Sequence, residues 1–462
     1  MAMSAATESS ASQVRVRLRS SDGKYPLPDS GAILVPLSFR RIALSSLVNG
    51  LLEHERPVPF DFVINGSYLR TSLEQFLSEQ GISSETIVDA EFAPAQKVPQ
   101  YVTSFQHDDW VSAVDVMPSS QRKTNQPRIL SGCYDGLLRV WDTSSNVLAV
   151  SPGGEGGGHS MFIKDARWVS PTEAVSVGFN RVARIWKYQE SDDGLSAVLK
   201  PSIHLYGHKE SINAVAVSRR KDGDRLLTGS LDCNIGLWST SKSGSPPAPP
   251  ESLPQPSANK KRKLNPSVTQ RGPLSMLEGH SEQVTGVTFD SQNPDVAYSV
   301  SWDETMRTWH LPSSSVVDTR KTDQALLSIH QLPEMNLIAT GTAGVDIKLI
   351  DPRVSASAVT AMVLKGHKNV VVCLASDPNN GYNLASGSHD GTVRLFDLRN
   401  RKQSKDSFTS QSVYTIQRQS LGSGKVAPPV GSGCQVYGLC WDNELGLLSA
   451  GQDKAIDVYN SQ

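Results

Sequence analysis

The chain has 462 residues, 45 basic and 46 acidic side chains and a formal charge of −1, so its global balance excludes dominant attraction to nucleic acid or an anionic membrane. No apolar run approaches the length of a membrane span. The five cysteines are an odd number without CxxC spacing, which reads as small buried or edge residues of a soluble protein in a reducing, intracellular compartment.

In chain order, residues 1–12 lack an apolar signal core and read as a disordered tail. Residues 13–97 follow a grammar of their own. Val14 to Arg19 alternates as a half-buried strand, Asp22-Gly23 turns it, and Ala32 to Val35 supplies a second strand. From Phe39 to Leu52 the apolar residues Ile42, Leu44, Leu47, Val48, Leu51 and Leu52 fall near helical spacing. Val58 to Ile64 is a third strand, closed by the hairpin turn Asn65-Gly66. Thr71-Ser72-Leu73-Glu74 has the form of a capping box and Gly81 sits where a C-cap glycine belongs. Thr86 to Phe92 is the last strand. The order β-β-α-β-β-α-β resembles a ubiquitin-like fold without a free diglycine tail, which predicts a binding domain rather than a conjugated modifier.

Residues 98–462 are repetitive. ILSGCYDGLLRVWD ends near Trp141, LLTGSLDCNIGLW at Trp238, YSVSWDETMRTW at Trp309 and NLASGSHDGTVRLFD near Phe396, with weaker copies ending at Trp186, Ile350 and Tyr459. Each reads as two short strands around a tight turn. Six places before the aromatic stand Asp135, Asp232, Asp303, Asp390 and Asp453, replaced by Asn180 and Gly344 in two copies. Seven copies spaced 41 to 71 residues apart predict the four-stranded blades of a seven-bladed β-propeller, a mainly β fold behind a small α+β domain. The last copy stops one strand short, and residues 100–105 are expected to supply that strand and close the ring.

Histidines about thirty residues upstream of the aromatics (His107, His159, His208, His280 and His367), three of them in Gly-His pairs, make the resemblance to the WD-repeat family firm over residues 98–462. That resemblance implies a buried relay of histidine, strand Ser or Thr, turn aspartate and tryptophan in each blade. The residues are His107, Asp135 and Trp141; His208, Asp232 and Trp238; His280, Asp303 and Trp309; and His367 with Asp390. Phe396 removes the indole donor from blade six, and blade five has neither the Gly-His pair nor the aspartate, so its relay is absent. Repeated pairs in separate blades do not form one catalytic constellation, and no phosphate loop, HExxH or GxSxG motif is present, so no enzyme is expected.

Two insertions, 241–273 and 400–431, are rich in Ser, Pro, Lys or Gly and read as flexible loops without packed structure. The first holds Lys260-Lys261-Arg262-Lys263, a candidate nuclear-import signal in an accessible loop.

The pairing of the two domains, together with PVPFDF at 57–62, LRTSL at 69–73, GISSE at 81–85 and DWVS at 109–112, resembles the WD-repeat assembly factors of the large ribosomal subunit that belong to a nucleolar PeBoW-type complex. A sister family, Notchless-like, carries eight blades, and a count of seven favours the first. The resemblance implies a non-catalytic factor of the nucleolus and nucleoplasm, needed for pre-rRNA maturation on the 60S precursor. Its propeller would dock on a propeller-bearing scaffold protein beside a third subunit of the complex. Its ubiquitin-like domain would bind the midasin AAA ATPase for release, with Glu85 completing the Mg²⁺ site of that partner; this chain would hold no metal or cofactor of its own. Mg²⁺ takes octahedral oxygen ligation and exchanges water, so a carboxylate can bridge two proteins. The rival readings are a WD-repeat adaptor for ubiquitin-pathway machinery and a propeller that contacts RNA directly through the 260–263 cluster.

Overall fold

The computed structural model describes residues 13–20, 24–27, 31–53, 56–119, 126–219, 224–253, 268–354, 360–403, 407–421 and 432–460. The tail, the Asp22-Gly23 turn and Lys260-Lys261-Arg262-Lys263 lie outside them. The chain divides into two compact units, residues 1–98 with 398–404, and residues 99–397 with 405–462.

In the first unit β1 (Gln13–Ser20), β2 (Ala32–Pro36), β3 (Phe60–Ile64), β4 (Ser67–Tyr68) and β5 (Val88–Pro94) form one sheet in the order β2-β1-β5-β3-β4. β1 runs parallel to β5, Val16 opposite Val88, and the other pairs are antiparallel. The alternation of β1 aims Val14, Val16 and Leu18 at a core shared with Phe60, Phe62 and Phe92. Helix α1 (Arg41–Leu52) seals that core with Leu44 and Val48, one turn apart, which turns Ile42 outward at 74% exposure. Asn65 and Gly66 both take positive φ, 49° and 74°, as the hairpin turn requires. Helix α2 (Leu73–Gln80) begins one residue later than the sequence pattern suggests. Ser72, not Thr71, is the cap, and its hydroxyl accepts from Gln75 N at 3.4 Å.

The second unit holds seven sheets of four to six strands among its described residues, each built on the four antiparallel strands of one blade. Strand β6 (Gln100–Gln106) joins the last one, pairing antiparallel with Ala455–Asn460 so that Phe105 faces Ile456. Glycines in the middle strands let neighbouring blades approach. A Cβ on Gly229 would lie 2.7 Å from Val284 Cγ1 of the next blade, and one on Gly132 would lie 2.8 Å from Ile163 Cγ2.

The two insertions are not loops throughout. Thr269–Arg271 pairs parallel with Ala197–Leu205 as a fifth strand of blade two. Phe408–Gln411 pairs parallel with Met362–Lys365 of blade five, and Tyr414–Gln417 is the outer strand of blade six. Polar segments gain this order because a blade edge offers free backbone donors and acceptors whatever side chains arrive.

Candidate partner-binding sites

The polar clusters inside the blades follow from residue type. In blade three His208 Nδ1 lies 2.9 Å from Asp232 Oδ2 and Nε2 lies 2.7 Å from Thr228 Oγ1. Trp238 Nε1 donates to that same hydroxyl at 2.8 Å. A carboxylate only accepts, so the ring proton sits on Nδ1; the hydroxyl then donates to Nε2 and accepts from the indole. Blade four repeats the order, with His280 Nδ1 at 2.8 Å from Asp303, Nε2 at 2.7 Å from Ser299, and Trp309 donating to Ser299 at 2.8 Å. Blade six keeps His367 at 2.9 Å from Asp390 and 2.6 Å from Ser386, while Phe396 is buried without a donor. Burial alone pushes the Asp303 and Asp390 carboxyls up. Hydrogen bonds from the histidines and from Thr305 and Thr392 outweigh it and hold both well below the usual carboxylate range.

Blade one departs from the expected relay. His107 Nε2 reaches Ser131 at 2.9 Å, and Trp141 donates to Ser131 at 2.9 Å, but Nδ1 faces the Phe105 carbonyl at 3.1 Å. Asp135 is instead paired with Arg139 at 2.7 Å, because an arginine four residues on offers the carboxylate a full charge where the neutral imidazole offers one N–H. Burial lowers His107 to about 4. In blade two His159 meets Asn180 at 2.9 Å and Ser176 at 2.7 Å, and burial with the nearby Arg184 guanidinium keeps the ring far below its ordinary range.

Blade seven carries a relay that histidine spacing does not reveal. Arg418 is fully buried; its Nη1 donates to Ser449 Oγ at 2.8 Å and its Nε to Asp453 at 2.9 Å, with Asp457 at 3.5 Å. The guanidinium does the work of the imidazole with more donors. Asp453 was the available signal, since a turn aspartate without an upstream histidine calls for another cation or donor. Among the described residues each relay cluster is closed within its own blade, and no nucleophile, base and acid converge from several of them.

Glu85 lies on the loop between α2 and β5. Gly81 ends α2 at φ 66°, Ile82 N donates to Leu77 O at 2.9 Å, and the Ile82 side chain packs on the domain core. Ser83 Oγ then accepts from Glu85 N at 3.3 Å, and Thr86 Oγ1 donates to Ser83 O at 2.8 Å. This turn presents Glu85 exposed, and among the described residues no cation pairs with its carboxylate. One hard oxygen donor on a braced loop fits a single position of an Mg²⁺ shell whose remaining ligands come from elsewhere.

On the propeller, an aromatic ladder crosses several blades where the inner strands begin. Phe162 stacks on Tyr134 at 4.8 Å and 7°, Tyr134 lies 6.0 Å from Tyr437, and Phe179 lies 4.8 Å from Phe162. Trp110 packs 5.4 Å from Tyr134 and keeps 36% of its surface exposed. Single exposed aromatics are ordinary on protein surfaces, whereas a contiguous ladder makes this surface a candidate contact face.

The family description "NLE (NUC135) domain" matches residues 14–77, and "WD domain, G-beta repeat" matches residues 99–142, 199–239, 271–310 and 359–397. The class is thus a WD-repeat propeller behind an NLE domain. Among curated proteins, "Ribosome biogenesis protein ytm1" of Aspergillus terreus is 48% identical over 479 residues, covering 100% of this chain and 99% of that protein. The proteins of the same name from Aspergillus fumigatus and Emericella nidulans are 48% and 47% identical, each covering at least 97% of that relative. The chain belongs to the Ytm1 family of ribosome biogenesis proteins, a family of non-catalytic assembly factors.

Proposed function

We propose that the chain acts in ribosome biogenesis as a scaffold on the precursor of the large (60S) subunit, in the nucleolus and nucleoplasm. Full-length identity of 48% to proteins named for ribosome biogenesis supports the process, and the two-unit architecture supports a division of labour. The propeller docks on a propeller-bearing scaffold protein of a PeBoW-type complex, next to its third subunit. The NLE domain engages the midasin AAA ATPase, which removes the factor when its stage is complete. Lys260-Lys261-Arg262-Lys263 serves nuclear import.

The observation that carries the release reading is the exposed, unpaired carboxylate of Glu85 on a loop fixed by Ser83 and the α2 C-cap. Mg²⁺ bound at the adhesion site of the partner would supply Lewis-acid attraction for that carboxylate. This chain's contribution is to hold the oxygen in place before contact, which spares ordering entropy on binding.

The test is binding of the full chain to the midasin adhesion-site domain in Mg²⁺, repeated with EDTA and with Glu85→Ala and Glu85→Asp. Metal-dependent binding should vanish with Ala and weaken with Asp, whose carboxylate stops one methylene short. Unchanged binding by Glu85→Ala, or indifference to EDTA, rejects the metal contact.

A further inference from the structure

The inner strands of the propeller enclose a funnel of about 480 Å³. Its mouth is walled by Tyr134, Tyr437, His389 and Trp302, the last 46% exposed, with the Gln283 amide beside them. Lys164 projects into it from the innermost strand of blade two (Ile163–Ser170). Water reaches the lysine along the funnel while protein surrounds it on most sides. Burial therefore holds its ammonium below the ordinary lysine range, and the same ammonium helps depress His389, whose larger cause is also burial.

Charge accounting singles this lysine out. Among the described residues Asp165 is the one carboxylate lining the funnel, and it is already engaged: Arg167 lies 3.5 Å away, and the backbone N–H groups of Ala166 and Val215 donate to it at 2.9 and 3.1 Å. Among the described residues no carboxylate comes within ion-pair distance of Lys164. Asp165 reaches Lys164 only through space, opposing the effect of burial, and a cation set in an aromatic-walled recess without a direct ion-pair partner is complementary to an apolar body bearing one negative charge.

We propose that this funnel is a docking site for an extended acidic segment of a partner protein, in which an aromatic or large aliphatic side chain packs against Trp302 and Tyr437 while a neighbouring Asp or Glu pairs with Lys164. The site takes a peptide rather than single-stranded RNA, because backbone tracking requires a row of Lys and Arg, and among the described residues that line the funnel Lys164 is the one cation without an ion pair, Arg167 being held by Asp115 and Asp165. The inference stands apart from the Glu85 contact and concerns only the propeller unit.

A random-peptide display library selected on the purified full chain tests it. The wild type should enrich sequences with Asp or Glu beside Phe, Tyr, Trp or Leu. Lys164→Gln should weaken a selected peptide by roughly tenfold or more, the scale of a lost charged hydrogen bond, and Trp302→Ala should weaken it too. Lys164→Glu should reverse the selection toward Lys and Arg. Thermal unfolding of each variant checks that the propeller is intact, and Lys164 is exposed enough to be replaced without a core defect. Failure to enrich any peptide, enrichment independent of residue 164, or poly(U) binding that Lys164→Glu abolishes while no peptide is selected would each overturn the proposal.

Discussion

At the scale of single residues, a relay position keeps its hydrogen-bonding role where its residue identity changes. The Phe105 carbonyl stands in for an aspartate in blade one, Asn180 does so in blade two, and Arg418 stands in for a histidine in blade seven. Replacing Arg418 with Met keeps most of the volume but leaves Asp453 and Asp457 buried without a counter-charge. The expected loss is about 3–5 kcal/mol in urea unfolding, the range for breaking one side of a buried ion pair. A loss below 1 kcal/mol would show that neighbouring donors such as Ser420, which reaches Asp453 at 2.6 Å, suffice without it. The aspartates and tryptophans were readable because their spacing repeats. Arg418 was not, because its residue type differs and an insertion stretches its distance from Tyr459. Nor could the isolation of Lys164 be read, since its lack of a counter-ion depends on Asp165 being occupied by Arg167.

At the scale of elements, the strands of the blades and of the NLE domain were legible as alternation ending in turn residues, and α2 as a capped helix. What escaped was the pairing of Thr269–Arg271 and Phe408–Gln411 with blade edges. These segments carry no apolar rhythm because backbone hydrogen bonds, not a buried face, hold them in place. The middle-strand glycines are the complementary case, visible in the repeats but explained only by the neighbouring blade. Gly229→Ala would set a methyl against Val284, and the strand or the next blade must shift. A loss of about 1–3 kcal/mol follows from overpacking. Equilibrium unfolding of Gly229→Ala alone and with Val284→Ala checks it, since the smaller partner should restore part of the loss.

At the scale of the whole molecule, buried neutral histidines make the protein sensitive to acid. Burial lowers His107, His204 and His330 from 6.5 to about 4, aided by Arg184 at His204 and Arg167 at His330. Their stabilising contribution is full above 6.5, where both states are neutral. It is lost progressively as the pH falls from 6.5 toward 4, because the unfolded chain takes up protons that the folded chain refuses. The midpoint of thermal unfolding should drop across that window, and calorimetry near pH 5 in buffers of differing ionisation enthalpy should show proton uptake on unfolding. A flat profile between 6.5 and 4 would contradict the burial of these rings.

The clasp between β6 and Ala455–Asn460 also sets an order in time. Its two halves lie about 350 residues apart, a separation that makes late, slow pairing the expected course of folding. During synthesis β6 waits with its edge unpaired until nearly the whole propeller has left the ribosome, so the early blades must persist as an open arc. A premature stop only a few codons before Ala455 would withhold the strand that joins the two ends, and the finished arc would keep two bare edges that invite another chain.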